Sequence, residues 1–389
     1  MFKPKIILVD LTGRFPQYTS RLYKALKELS SSVHFASINS LDPKDGLTLE
    51  GDFNLLEIEF LRKNRRKQTF IHQLFKLLEI IVNVFYLEIQ KIKIRPQVIH
   101  YQYFPLIEHF PLIEFTFLKF NKYLGIKTVY TVHNILPHNT GDRFKSIYNK
   151  LYSLCDILIV HTIESSDQLV NEFNVDKSKV QIIPHGELSI DSDKIKKPYK
   201  YHKNLCKNKV VLCFGRISRY KGIEKLLDAF ALLSNTRTTL LIAGNGDDSY
   251  LNELKLRSQS KKIQNVIFDN RFIPESELHD MFDITDVVVF PYSKITQSGA
   301  VLMALSQGKA IICSDLLAFH ELLENEVQGE IINCDNSDLL CRRIKYILNN
   351  KDYRLSLGIN AKKMISKRYN WKSIANLTIK TYQNEFGQF

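Results

Sequence analysis

The sequence predicts an α/β protein of two doubly wound, Rossmann-like domains facing across a cleft. Two observations carry this. Short continuous apolar runs rich in Val and Ile alternate with helical patterns along the whole chain, and runs without polar alternation belong to parallel strands covered on both faces. The runs also fall into two sets of six in a chain of 389 residues, which is too long for one ordinary core.

In order, the first set is Lys5–Asp10, Val33–Asn39, Val98–Tyr103, Thr128–His133, Ile157–His161 and Val180–Pro184. The second is Val210–Phe214, Thr239–Ala243, Val266–Asp269, Val287–Pro291, Ala310–Ser314 and Glu330–Asn333. This places one domain at 1–190 and another at 205–365. The polar, lysine-rich stretch Glu187 to Lys209 reads as an exposed connector. The segment Tyr353 to Phe389 is helical by pattern, interrupted near Asn370.

The net charge of +13 favours anionic partners. Six cysteines are scattered singly, so neither a zinc site nor a disulfide frame is expected, and a reducing cytoplasm fits. The N-terminus begins a strand at once, without the apolar region of a secretion signal. Phe70 to Ile89 reads as an amphipathic helix and not a membrane span: Gln73, Lys76, Asn83 and Gln90 fall near one side, and Phe70, Leu74, Leu78, Ile81, Phe85 and Ile89 on the other. The basic run Arg62 to Lys67 precedes it, so an anionic membrane surface is an expected partner, supported by the apolar-aromatic stretch Tyr103 to Phe120. No nucleic-acid reading module is present.

The chemistry gathers at strand ends, where ligands of such sheets bind. Thr296, Gln297, Ser298 and Gly299 stand where the helix Ala300–Gln307 should begin, and the free N–H groups of a helix start attract anions. Ser298 or Thr296 could also cap that helix. Arg216 and Lys221 flank a glycine-containing turn, where two cations could neutralise a leaving diphosphate. These two phosphate-shaped elements suggest a sugar-nucleotide diphosphate. Gly13 permits a tight turn after the first strand, beside Arg14; Gly244 turns the chain after the eighth. His133 and Asn134 end the fourth strand, where a histidine can donate a hydrogen bond or shift a proton. No His, Asp or Glu cluster has metal-ligand spacing.

With these residues in hand, the chain resembles a GT-B glycosyltransferase of glycosyltransferase family 4, most strongly over Val210 to Ser314. FGRISRYKGIEKLLDAF resembles the family's diphosphate-binding segment, LLIAGNGDD its strand-and-turn, and VVVFPYSKITQSGAVLMALSQGKAII its donor-binding loop and helix. The resemblance implies that His133, Arg216 and Lys221 are catalytic. It implies donor contacts from Gly13, Asn134, Gly215, Gly244, Thr296, Gln297, Ser298 and Gly299. KRYNWKSIANLTIKTYQ resembles the helix, here 366–389, that crosses back to the N-terminal domain. The implied reaction moves a hexose-type sugar from a nucleotide sugar to a glycan or lipid-linked acceptor, with retention and with neither metal nor cofactor, at or near the inner membrane face. One departure stands out: the family's two glutamates, eight positions apart, are replaced by Ile295 and Met303. A non-catalytic GT-B partner subunit and a sugar-nucleotide epimerase are the alternatives.

Overall fold

The computed structural model describes residues 4–30, 32–38, 51–59, 61, 69–137, 141–188, 197–233, 237–295 and 298–386. The basic run at 62–67 and the loop residues Thr296 and Gln297 lie outside the described residues.

All twelve expected strands form, each within a few residues of its expected bounds, in two six-stranded parallel sheets. The first unit holds β1 (Ile6–Asp10), β2 (Val33–Ser37), β3 (Val98–Tyr101), β4 (Lys127–Thr131), β5 (Ile157–Val160) and β6 (Val180–Ile182) in the order β2-β1-β3-β4-β5-β6. The second holds β7 (Lys209–Phe214), β8 (Thr238–Ala243), β9 (Val266–Asp269), β10 (Val287–Phe290), β11 (Ala310–Ser314) and β12 (Glu330–Ile332) in the order β12-β11-β10-β7-β8-β9. Strand order reverses between β1 and β3 and again between β7 and β10. In such sheets ligands bind beyond the strand ends at these switch points.

Continuous apolar strands follow from burial on both faces. Along β7, Val210 and Leu212 join one core while Val211 and Cys213 join the opposite one. Along β1, Ile7 and Val9 face one core, Ile6 and Leu8 the other.

The compact units are 1–186 with 371–389, and 187–370. Helix Trp371–Phe386 therefore completes the first unit. Ile374, Ala375 and Tyr382 are buried there with Tyr18 and Leu22 of helix Pro16–Leu29. Gly186 allows this docking, since a Cβ there would lie 2.4 Å from the Trp371 ring.

Three expectations are corrected. The described part of the connector, 197–209, is not exposed throughout: Tyr199 and Leu205 are buried in the second unit's core. Tyr199 also donates its hydroxyl to Asp269 (2.8 Å) and its N–H to Asp280 (2.7 Å). Two apolar anchors suffice to dock a lysine-rich segment. Next, most of the Tyr103–Phe120 stretch is core, with Phe104, Leu106, Ile107, Phe115 and Leu118 buried beneath the first sheet.

Finally, the apolar helix runs from Phe70 to Ile94 and is turned opposite to a usual surface helix. Glu79, Asn83, Glu88 and Lys91 are buried, while Leu78 (49%), Phe85 (51%) and Ile92 (55%) are exposed. The inward polar groups are tied down. Asn83 pairs with both backbone groups of Leu56 (2.7 and 2.9 Å), Glu79 accepts from Ile58 N–H (2.7 Å), and Lys91 meets Glu88 and Asn121. By length and composition this helix could also cross a bilayer, but these four polar groups are bonded into the unit.

Candidate functional site

The second unit's candidate site forms where β7 and β10 end. After Phe214 the chain turns through Gly215 at φ 117°, beside Gly244 at φ 143°. These two backbones touch: a Cβ on Gly244 would fall 2.0 Å from the Gly215 carbonyl oxygen, so no other residue fits. Arg216 points to solvent. Lys221 does not. It is only 5% exposed, and its Nζ donates to the Tyr292 hydroxyl while lying 3.9 Å above the Tyr292 ring. Among the described residues no carboxylate pairs with it, and burial lowers its pKa from 10.5 to about 8.

The Tyr292 hydroxyl also lies 3.3 Å from Ser298 Oγ. Ser298 occupies the N-cap of helix Gly299–Ser306 but makes no side-chain cap bond. Val301 and Leu302 N–H bond the Ser298 carbonyl, and among the described residues the N–H groups of Gly299 and Ala300 are left for an outside acceptor. Gly299 sits against Leu188, where a Cβ would come within 2.5 Å of Cδ1. A buried cation, a hydroxyl pair and an uncapped helix start thus share one switch point. Tyr292 was not anticipated from the sequence; its place one residue past Pro291 at a strand end was the available signal. Ile295 and Met303 pack against the second unit's apolar core. At these two positions, where the resemblance expects glutamates, the side chains are apolar and partly buried.

In the first unit, Gly13 takes a left-handed turn (φ 57°), its N–H bonded to Asp10 O (3.0 Å). Asp10 organises this loop and was missed in the sequence. Wholly buried at the end of β1, it accepts from Arg14 N–H (2.9 Å), Phe15 N–H (3.0 Å) and the Thr19 hydroxyl (3.2 Å). It thereby ties the loop ahead of helix Pro16–Leu29 to Thr19 in the helix's first turns.

His133 is one of four histidines gathered at the ends of β3 to β6, with His100, His161 and His185. Its ring stacks on Phe15 (centroids 3.9 Å apart). His161 Nδ1 lies 2.9 Å from the Ile183 carbonyl, which can only accept, so His161 Nε2 is an acceptor. His133 Nδ1, 3.4 Å from that Nε2, must donate. A neutral His133 then has a lone pair at Nε2, 3.0 Å from the Gln102 amide. With the NH2 of that amide toward His133, an exchange of O and N that leaves the distances unchanged, its carbonyl meets His100 Nε2. His100 donates from Nε2 to Thr131 Oγ1 (2.7 Å) and accepts at Nδ1 from Tyr382 (2.6 Å). Burial, first of all, holds these rings neutral: His100 and His185 fall to about 3 and His161 to about 4. Burial and then the neighbouring His161, His185 and His100 lower His133 well below its usual value. Both His133 nitrogens are thus engaged within the protein. Asn134 beside it is half-buried. Among the described residues no three His, Cys, Asp or Glu side chains gather as metal ligands would.

Residues 16–186 match the family described as Glycosyltransferase Family 4, and 196–364 match Glycosyl transferases group 1. An uncharacterised glycosyltransferase of Methanocaldococcus jannaschii, MJ1607, is 26% identical over 61% of this chain and 62% of its own length. The lipopolysaccharide 1,2-N-acetylglucosaminetransferase of Salmonella typhimurium is 25% identical over 47% of this chain and 50% of its own. The chain thus spans less than two thirds of the length of these relatives. Among solved structures, HepE of Anabaena, held with UDP and glucose, superposes with a TM-score of 0.68 at 16% identity, covering 97% of this chain and 99% of that one. Sucrose-phosphate synthase of Thermosynechococcus elongatus reaches 0.69 at 19% identity, covering 99% of each. Parallel six-stranded sheets in two units, with family matches over both, make this chain a GT-B glycosyltransferase of the family 4 type.

Proposed function

We propose that the protein transfers a hexose-type sugar from a nucleotide-diphosphate donor to a hydroxyl acceptor. The observation that carries this reading is Lys221: a lysine buried without a carboxylate, beside an uncapped helix start. Burying an unpaired ammonium is costly, and a diphosphate supplies the missing charge. In this reading Lys221 and Arg216 neutralise the departing diphosphate, joined by the N–H groups of Gly299 and its neighbours. Gln297 and Thr296 would add contacts, and the close backbones of Gly215 and Gly244 leave room for the donor. The resemblance supports retention of configuration and a metal-independent step. His133, held as an Nδ1–H tautomer, would position the donor sugar by its ring edge, with Asn134 and Gly13 near it at the first unit's strand ends. The similarity to lipopolysaccharide and capsular polysaccharide glycosyltransferases supports a lipid-linked glycan acceptor in surface-polysaccharide synthesis.

The first test is thermal stabilisation by a panel of UDP, GDP, ADP and CMP sugars, with an Arg216→Ala/Lys221→Ala variant beside the wild type. A shift with one nucleotide class that the variant loses supports the donor site; no shift with any of them overturns it. The apolar Ile295 and Met303 favour a second reading, a partner subunit that binds donor without turning it over. Slow donor hydrolysis without acceptor, abolished in the same variant, separates the enzyme from that subunit; donor isomerisation would identify an epimerase.

A further inference from the structure

The outward face of helix Phe70–Ile94 has no counterpart in the donor chemistry. Ile71, Leu74, Leu78, Val82, Phe85 and Ile89 recur three or four residues apart and are all exposed, so they form one apolar stripe along the helix. The orientation is fixed, because Asn83, Glu88 and Lys91 are bonded inward and cannot be exchanged for the stripe without being stripped of their partners. The neighbouring helix Pro111–Tyr123, joined through the Phe85 and Phe117 rings (5.4 Å apart), exposes Leu112 and Tyr123. An exposed apolar stripe of six residues calls for an occupant.

Charge decides which. Five cations fall within Arg62 to Lys67, directly ahead of the helix in sequence, and Lys93 and Arg95 are exposed at its far end. The spacing of the stripe would also suit a second copy of this helix. Parallel pairing, however, would set one basic run against the other, and antiparallel pairing would set it against Lys93 and Arg95. A bilayer with anionic headgroups instead receives the stripe among its acyl chains and the cations at its surface.

We propose that this face is a docking surface for an anionic lipid bilayer, with the helix lying in the plane of the interface. Glu79, Asn83, Glu88 and Lys91 stay bonded to the unit, which excludes a transmembrane path for the helix in this fold. Docking needs no nucleotide, so it stands apart from the donor-site reading.

The test is co-sedimentation of the full chain with vesicles of phosphatidylcholine alone, or carrying a third phosphatidylglycerol, in the absence of nucleotide. The expected result is binding to the anionic vesicles that weakens with added salt. Leu74→Asp/Leu78→Asp should lower it by at least about ten-fold, and Arg65→Glu/Arg66→Glu should remove its salt dependence. Leu74→Asp/Leu78→Asp should keep the wild-type melting temperature, since both side chains are outward. No binding to anionic vesicles, or equal binding by wild type and Leu74→Asp/Leu78→Asp, overturns the proposal. A wild-type dimer by light scattering that this variant makes monomeric, without vesicle binding, would assign the face to a second copy instead.

Discussion

The two units handle buried titratable groups in opposite ways. In the first, four histidines gather at neighbouring strand ends; the chain from Tyr382 through His100, Gln102 and His133 to His161 closes on the protein's own donors and acceptors. In the second, one lysine is buried between the rings of Tyr220 and Tyr292, with the Tyr292 hydroxyl as its hydrogen-bond partner. A saturated array asks nothing of solvent or ligand; an unpaired cation does. The same sheet architecture thus builds a rigid support in one unit and a receptive site in the other.

Acid should expose this difference most strongly. His100, His161 and His185 are held at about 3 to 4 in the folded state, against about 6.5 when unfolded. Their contribution is complete above about pH 6.5 and is lost as pH falls toward 4, where the unfolded chain takes up protons that the fold refuses. Three such groups give up to about 4 kcal/mol per pH unit. Denaturant titrations followed by a probe in each unit should show the first unit weakening in this window and the second holding; parallel loss in both would break the contrast. Next in size, Arg216→Ala/Lys221→Ala should weaken nucleotide-sugar binding by about a hundred-fold in calorimetry.

The lysine also titrates. Because its pKa in the free protein is lowered to about 8 and a bound diphosphate would raise it, nucleotide affinity should fall as pH rises beyond 8, by up to about ten-fold per pH unit. A flat profile from pH 8 to 9.5 would remove Lys221 from diphosphate recognition. The smallest effect belongs to Gln102→Met, which leaves His133 Nε2 without its partner while His100 Nε2 keeps Thr131, and should cost about 1 to 3 kcal/mol. Nitrogen-15 spectra of the imidazoles should report Nδ1–H for His133 in the wild type and a mixture in the variant.

The architecture was legible in the sequence because parallel strands buried on both faces leave runs such as VVVF and AIICS that little else produces. The loop at Gly215 and the helix start at Gly299 were legible for a similar reason: glycine, cation and strand end stand close together in the chain. The histidine array was not, although His133 and His161 lie at expected strand ends, since most of its bonds join residues from 22 to 282 positions apart. Nor was the inward turn of the Phe70–Ile94 helix. Periodicity tells which residues share a side, but Asn83 and Lys91 find their partners only once Leu56 and Asn121 are in place.

The bond between His100 and Tyr382 joins residues 282 positions apart. During synthesis at about 10 residues per second, roughly half a minute separates the emergence of its two halves. The second unit, encoded between them, is complete before the first. The early strands must therefore wait, with Tyr18 and Leu22 still uncovered, until helix Trp371–Phe386 arrives. Damage to the last residues of this chain would accordingly be felt in the unit made first.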